Sequence, residues 1–165
     1  MSQTTWTSSQ LKKLGNCIRN DEIPGPELPD YDTVMLHYND LATETQTKIE
    51  NMDWTSLLGS RKFEVTSRAK TFDTLRQKLQ RDKTLQLPNV QDIAGVRFEA
   101  EMNLREQDDV ADRIADQFSH DKTTCIKDLR HDPHSGYRAV HLRLILREGV
   151  HVRGRVEPAW VCGRA

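Results

Sequence analysis

The sequence predicts one helix-covered β-sheet of α/β or α+β class, with about five strands and a long helix near the N-terminus. Three observations point there. Residues 138–147 alternate, with Ala139, His141, Arg143 and Ile145 on one side and Val140, Leu142, Leu144 and Leu146 on the other, the period of a half-buried strand. Val34, Tyr38, Leu41, Ile49 and Met52 fall at helical spacing, a helix of about five turns. Between residues 63 and 157, short apolar runs alternate with helical patterns.

The elements follow in order. Ser8 or Ser9 caps a short helix through Leu11, Leu14 and Ile18, and Pro24, Pro26 and Pro29 then bar a continuous helix. Asp30 or Asp32 caps the long helix, whose role is packing or an oligomer contact, packing being the favoured one. Residues 54–61 read as a linker and 63–66 as a short strand. A helix over 71–82 buries Phe72, Leu75 and Leu79. Residues 92–100 read as a core strand and 104–120 as a helix with Val110, Ile114 and Phe118 inward. Strands over 123–129, 138–147 and 151–157 complete the sheet. The organisation is a helical extension and linker over 1–62, then a sheet domain over 63–165.

With 165 residues, a net charge of −1 and 30% charged residues, the chain is a polar single domain. The charge balance argues against a dedicated nucleic-acid or membrane-surface binder. No apolar run approaches the about 20 residues of a membrane-spanning helix, and the expected compartment is the cytoplasm. Cys17, Cys125 and Cys162 lack metal-ligand spacing and read as reduced thiols.

Four clusters carry candidate chemistry. Arg68 and Lys70 stand at a helix start, with Thr74 and Lys78 four and eight residues beyond Lys70; cations there and helix amides suit an anion. Asp92 opens an apolar run that also holds Arg97, and such a carboxylate needs a partner, a metal ion or an ion pair. Strict alternation puts Asp92 and Arg97 on opposite faces, which a bulge at Gly95 would resolve. Ser135-Gly136-Tyr137-Arg138-Ala139-Val140-His141 places an aromatic ring, a guanidinium and an imidazole at a strand mouth, preceded by Lys127, Asp128, Arg130, His131 and His134. This suits a base stacked above phosphates. Glu157 closes a strand that has His151, Arg153 and Arg155 on the same side. Asp92 and Glu157, from two strands, form a pair able to hold magnesium through oxygen ligands.

In this order, Arg-x-Lys, Asp-x-x-Gly-x-Arg, Lys-Asp, Gly-Tyr-Arg-x-x-His and Val-Glu resemble the synthetase domain of the RelA/SpoT family, most closely the small alarmone synthetases. The likeness spans residues 63–157. It implies an α+β fold, a nucleotidyltransferase-like mixed sheet flanked by helices. It also implies transfer of pyrophosphate from ATP to the ribose 3′-hydroxyl of GDP or GTP, giving (p)ppGpp, with Mg2+ as cofactor. By resemblance Arg68 and Arg97 sandwich adenine, and Lys70 and Lys78, with the hydroxyl of Thr74, serve the ATP phosphates. Asp92 binds magnesium. Tyr137 stacks on guanine, Lys127 and Arg138 flank that site, and His141 contacts acceptor phosphates. Glu157 joins the metal site or activates the 3′-hydroxyl.

The chain departs from the family pattern after Val-Glu. Where Glu-x-Gln-x-Arg-Thr is expected, Glu157 is followed by Pro158, Ala159, Trp160 and Val161, as after a frameshift or premature end, and little or no synthetase activity is expected. The loop before Gly136 also lacks the Pro-Lys common in relatives. Two other readings stand beside the enzyme: a guanine-nucleotide-binding remnant or partner of an intact synthetase, and a relative that modifies the 3′ end of tRNA, which the near-neutral charge disfavours. A homo-oligomer is in question because the closing helices are not in the sequence.

Overall fold

The computed structural model describes residues 6–128, 139–146 and 151–158. Tyr137 and Arg138, with Arg130, His131 and His134, lie outside the described residues. Five strands form one mixed sheet: β1 (Phe63–Ala69), β2 (Ala94–Ala100), β3 (Ile126–Asp128), β4 (Val140–Ile145) and β5 (His151–Pro158). Their order is β1-β2-β5-β4-β3. The β2–β5 pair is parallel; β1–β2, β5–β4 and β4–β3 are antiparallel. The expected α+β class is what the chain adopts.

Helices cover one face. α1 (Ser8–Asn20) is capped by Thr7 rather than Ser8 or Ser9: the Thr7 and Gln10 side chains bond each other's backbone in a capping box. α2 (Tyr31–Glu50) is capped by Asp30 and buries Val34, Tyr38, Ala42, Thr45 and Ile49. In the segment 54–61, expected as a linker, lies a short helix, α3 (Thr55–Leu58). Trp54 before it is core: it is 3% exposed, donates Nε1–H to the Ile49 carbonyl at 2.9 Å and packs on Phe98 at 4.8 Å. Its indole finds a partner as a buried indole must.

α4 (Phe72–Arg81) buries Leu75 and Leu79. Phe72, expected inside, is 40% exposed and rests edge-on against Tyr31 at 4.7 Å. α5 (Leu104–Gln117) begins at the Asn103–Glu106 capping box and ends one residue before Phe118. The segment starting at Thr123 is first a helical turn, α6 (Lys122–Cys125), capped by Asp121, and only then β3. The helices and the sheet's inner face share one core around Phe98, Val96, Leu142 and Val156. Among the described residues no helix is long and apolar enough to cross a membrane.

Candidate functional site

The outer face of the sheet carries the chemistry. Along β2 every second residue is buried, namely Ala94, Val96, Phe98 and Ala100, so Gly95, Arg97 and Glu99 fall on the opposite face. Register then builds rows across the strands. One row runs Arg68, Gly95, Arg153, Arg143; the next runs Thr66, Arg97, Arg155, His141, Lys127; the third runs Glu64, Glu99, Glu157. The middle of the sheet is therefore two adjacent rows rich in cations. They line a cavity of about 520 Å³ that includes Arg68, Arg97, Arg153, Arg155 and His141, with Lys70 and Asp92 at one end. A cavity of this size is in the range of small-molecule sites.

Lys70 follows β1 directly, and its amide donates to the Ile93 carbonyl at 2.7 Å, pinning it beside the approach to β2. Lys78 reaches the same place from α4. Both ammonium groups hold Asp92: Lys78 Nζ lies 2.6 Å from Oδ1 and Lys70 Nζ 3.1 Å from Oδ2. Arg153 Nη1 is 3.9 Å from Oδ2. Burial raises the Asp92 pKa, and the Lys78 and Lys70 hydrogen bonds more than reverse this, so the carboxyl stays below its usual range. Thr74 does not join them: its hydroxyl bonds Thr71 Oγ1 and the Thr71 carbonyl in the first turn of α4, each at 2.9 Å.

Asp92 lies before β2, which starts at Ala94. This settles the parity conflict with Arg97 without a bulge, because pairing runs unbroken through Gly95 to both neighbours. The same register separates the expected carboxylate pair. Ala94 pairs with Val152 and Glu99 with Glu157, so Glu157 stands five residues, about 17 Å, further along the strands from Ala94. Asp92 and Glu157 sit at opposite ends of the cationic rows, too far apart for one magnesium ion with its ligands at about 2 Å. Beside Asp92, where a second carboxylate is needed, the chain places Arg153. Among the described residues no cluster of three or more His, Cys, Asp or Glu side chains is arranged to hold a metal. The donor set around Asp92, three cations on one carboxylate, does not fit a resident magnesium.

His141 is 8% exposed. Its Nδ1 accepts a hydrogen bond from Arg153 Nε at 2.9 Å, leaving the hydrogen on Nε2 in the neutral ring. Burial first, then Arg153, Arg155 and Lys127, push its pKa down to about 4. At neutral pH His141 is thus an uncharged donor. The His141–Arg153 pair also walls a second cavity of about 230 Å³ that includes Lys127, Arg143 and Gln91. Lys127 pairs with His141 across β3 and β4, which groups the Lys-Asp motif with the strand that follows the tyrosine loop.

Arg153 and Arg155 stand out in the sequence only as neighbours of Glu157. Their parity on β5 is visible there; their level beside Asp92 and Arg97 comes from strand pairing. Arg68, Lys70, Asp92, Arg97 and His141 all line the larger cavity, and Lys78 joins it through Asp92.

Comparison with known proteins agrees with this fold. The model of the region found in RelA/SpoT proteins matches residues 67–156. Uncharacterized proteins of Mycobacterium tuberculosis and Mycobacterium bovis are 42% identical over 162 residues, covering 96% of this chain and 58% of their own length. The chain thus spans about three fifths of those relatives. Among solved structures, the small alarmone synthetase 1 of Bacillus subtilis superposes with a TM-score of 0.60 at 21% identity, over 78% of this chain and 71% of that one. Small alarmone synthetase 2 of the same organism gives 0.59 at 22% identity, over 79% and 73%. The first has also been solved with its product pppGpp, and that structure gives a TM-score of 0.59 at 20% identity over 78% of this chain and 73% of that one. A shared fold at this identity, and a family match over more than half the chain, lead to one conclusion: the chain belongs to the RelA/SpoT family.

Proposed function

We propose that the chain binds ATP and a guanine nucleotide side by side on the outer sheet face, and that its reaction is the transfer of pyrophosphate from ATP to the 3′-hydroxyl of GDP or GTP. The observation that carries this is the pair of cationic rows lining the 520 Å³ cavity. Polyphosphate transfer is chiefly a matter of positioning and charge neutralisation. In this reading Arg68 and Arg97 flank adenine while Lys70 and Lys78 exchange Asp92 for phosphate oxygens. Tyr137 stacks on guanine, and Lys127, Arg138 and the Nε2–H of His141 serve the acceptor. The 3′-oxygen attacks the β-phosphorus, the bond from that phosphorus to the α,β-bridging oxygen breaks, and AMP leaves. In this reading Glu157, one row beyond Arg155 and His141 by strand register, takes the hydroxyl proton.

A second reading, nucleotide binding without turnover, is favoured by the separation of Asp92 from Glu157 and by Pro158, Ala159 and Val161 in place of the family's continuation. Incubation with ATP, GDP or GTP and magnesium, followed by anion-exchange chromatography, decides between them. Alarmone that disappears in Glu157→Gln, which lacks the proton acceptor, supports the synthetase. Calorimetric binding of nucleotide without product supports the second reading. A chain that does neither refutes both.

A further inference from the structure

We propose that the Asp92 end of the cavity takes the phosphate chain of a nucleotide directly on Lys70, Lys78 and Arg153, with no divalent ion held by the protein. That the phosphates belong to a nucleotide rests on the synthetase-type reading above; the rejection of a protein-bound metal rests on the side chains alone. The three cations stand 3.1, 2.6 and 3.9 Å from the two oxygens of Asp92. One carboxylate among three cations leaves a local charge of about +2, which repels a divalent cation and attracts a polyanion. Magnesium wants several oxygen ligands at about 2 Å, and both Asp92 oxygens are already taken.

Arg153 decides the matter because of what fixes it. Its Nε donates to His141 Nδ1 at 2.9 Å, and His141 is itself buried between strands. The guanidinium is therefore anchored at one edge and offers its Nη groups towards Asp92 and the cavity. A guanidinium does not lose its charge at any ordinary pH, and its planar fork matches phosphate oxygens. Gly95, its neighbour on β2, adds no side chain between Arg153 and Arg68. A Cβ there would already sit 3.6 Å from the carbonyl oxygens of both neighbours. The bare backbone thus leaves phosphate a path between the two arginines. Asp92 acts as an internal stand-in for phosphate, holding the lysines in position until an anion replaces it.

The experiment uses the full chain. ATP binding is measured by calorimetry in EDTA and in excess magnesium, and Mn2+ binding to the nucleotide-free chain by paramagnetic relaxation of water. Binding in EDTA within about threefold of that in magnesium is expected, with no Mn2+ bound. Arg153→Glu, which restores a carboxylate beside Asp92, is expected to weaken binding in EDTA by about tenfold or more, the scale of one charge-assisted contact, and to create an Mn2+ site. Arg153→Met, neutral and of similar length, covers the case in which Arg153→Glu does not fold. It is expected to weaken binding in EDTA without creating an Mn2+ site. ATP binding that needs magnesium, or Mn2+ bound by the wild-type chain, overturns the proposal. If the wild-type chain binds no ATP in either buffer, the synthetase-type reading and the nucleotide ligand fall together. The Mn2+ titration then still decides the metal part, because Mn2+ bound by wild type refutes it and an Mn2+ site gained only in Arg153→Glu supports it.

Discussion

Asp92→Asn should strengthen metal-free ATP binding. The substitution keeps the shape and removes one negative charge from the centre of three cations, with ammonium contacts of 2.6 and 3.1 Å. A phosphate oxygen seated on the far side of those ammonium groups lies about 5 Å from the carboxylate, where unit charges interact by about 3 kcal/mol at an effective dielectric of 20. Water reaches this site, since Asp92, Lys70 and Lys78 side chains are 20, 20 and 26% exposed. Screening at such a site brings the repulsion to about 1–2 kcal/mol, so Kd for ATP in EDTA should fall about 5- to 30-fold. The folded chain meanwhile loses the counter-charge that both ammonium groups share, and chemical denaturation should show a loss of about 1–3 kcal/mol. Calorimetry in EDTA reads the first effect and a urea titration the second. Weaker binding in Asp92→Asn would refute the reasoning, because it would mean that Asp92 attracts the nucleotide, through a metal ion or otherwise, instead of holding its place.

His141 makes stability pH-dependent. Its pKa is about 4 in the fold against 6.5 for the free imidazole, so the unfolded chain binds more protons between those values. Stability is whole above pH 6.5, declines as pH falls, and below pH 4 has lost about 3 kcal/mol, so urea midpoints taken from pH 7 to pH 4 should fall most in that window and His141→Gln should flatten the fall. Gly95→Ala should leave the fold within about 0.5 kcal/mol of wild type, since the new Cβ meets two carbonyl oxygens at an ordinary 3.6 Å, yet weaken ATP binding measurably; unchanged affinity would show that no ligand approaches the floor between Arg68 and Arg153. Phe98→Ala should cost about 3–5 kcal/mol in a urea titration, because the ring is 1% exposed and packs on Phe63 at 5.5 Å and Trp54 at 4.8 Å.

Periodicity tells which face each residue takes, and pairing tells at which level it stands; the chemistry of this site needs both. The alternation around His141 is legible in the sequence, and the buried row Val140, Leu142, Leu144 on β4 follows it. The grouping of Arg68, Lys70, Asp92, Arg97 and His141 is legible only through the ordered set of family motifs that holds them. The level of β5 beside β2 is not. A shift by an even number of residues keeps every side chain on its own face, so apolar pattern alone accepts Glu157 beside Asp92 as readily as Arg153 there. What selects the observed level is a contact between residues far apart in sequence. Gly154 pairs with Leu142, and a Cβ at that glycine would lie 3.1 Å from the Leu142 Cβ, closer than a well-packed core accepts without movement. Sliding β5 by two residues would put Val152 or Val156 at that spot, where their branched side chains do not fit. The slide of four residues that brings Glu157 to the level of Arg153 would put Pro158 there, with a ring against Leu142 and no amide hydrogen to donate inside the sheet. A glycine within a strand usually marks a close approach of this kind. Here it holds Arg153 level with Gly95, hence beside Asp92, and sends Glu157 to the acidic row at the far end.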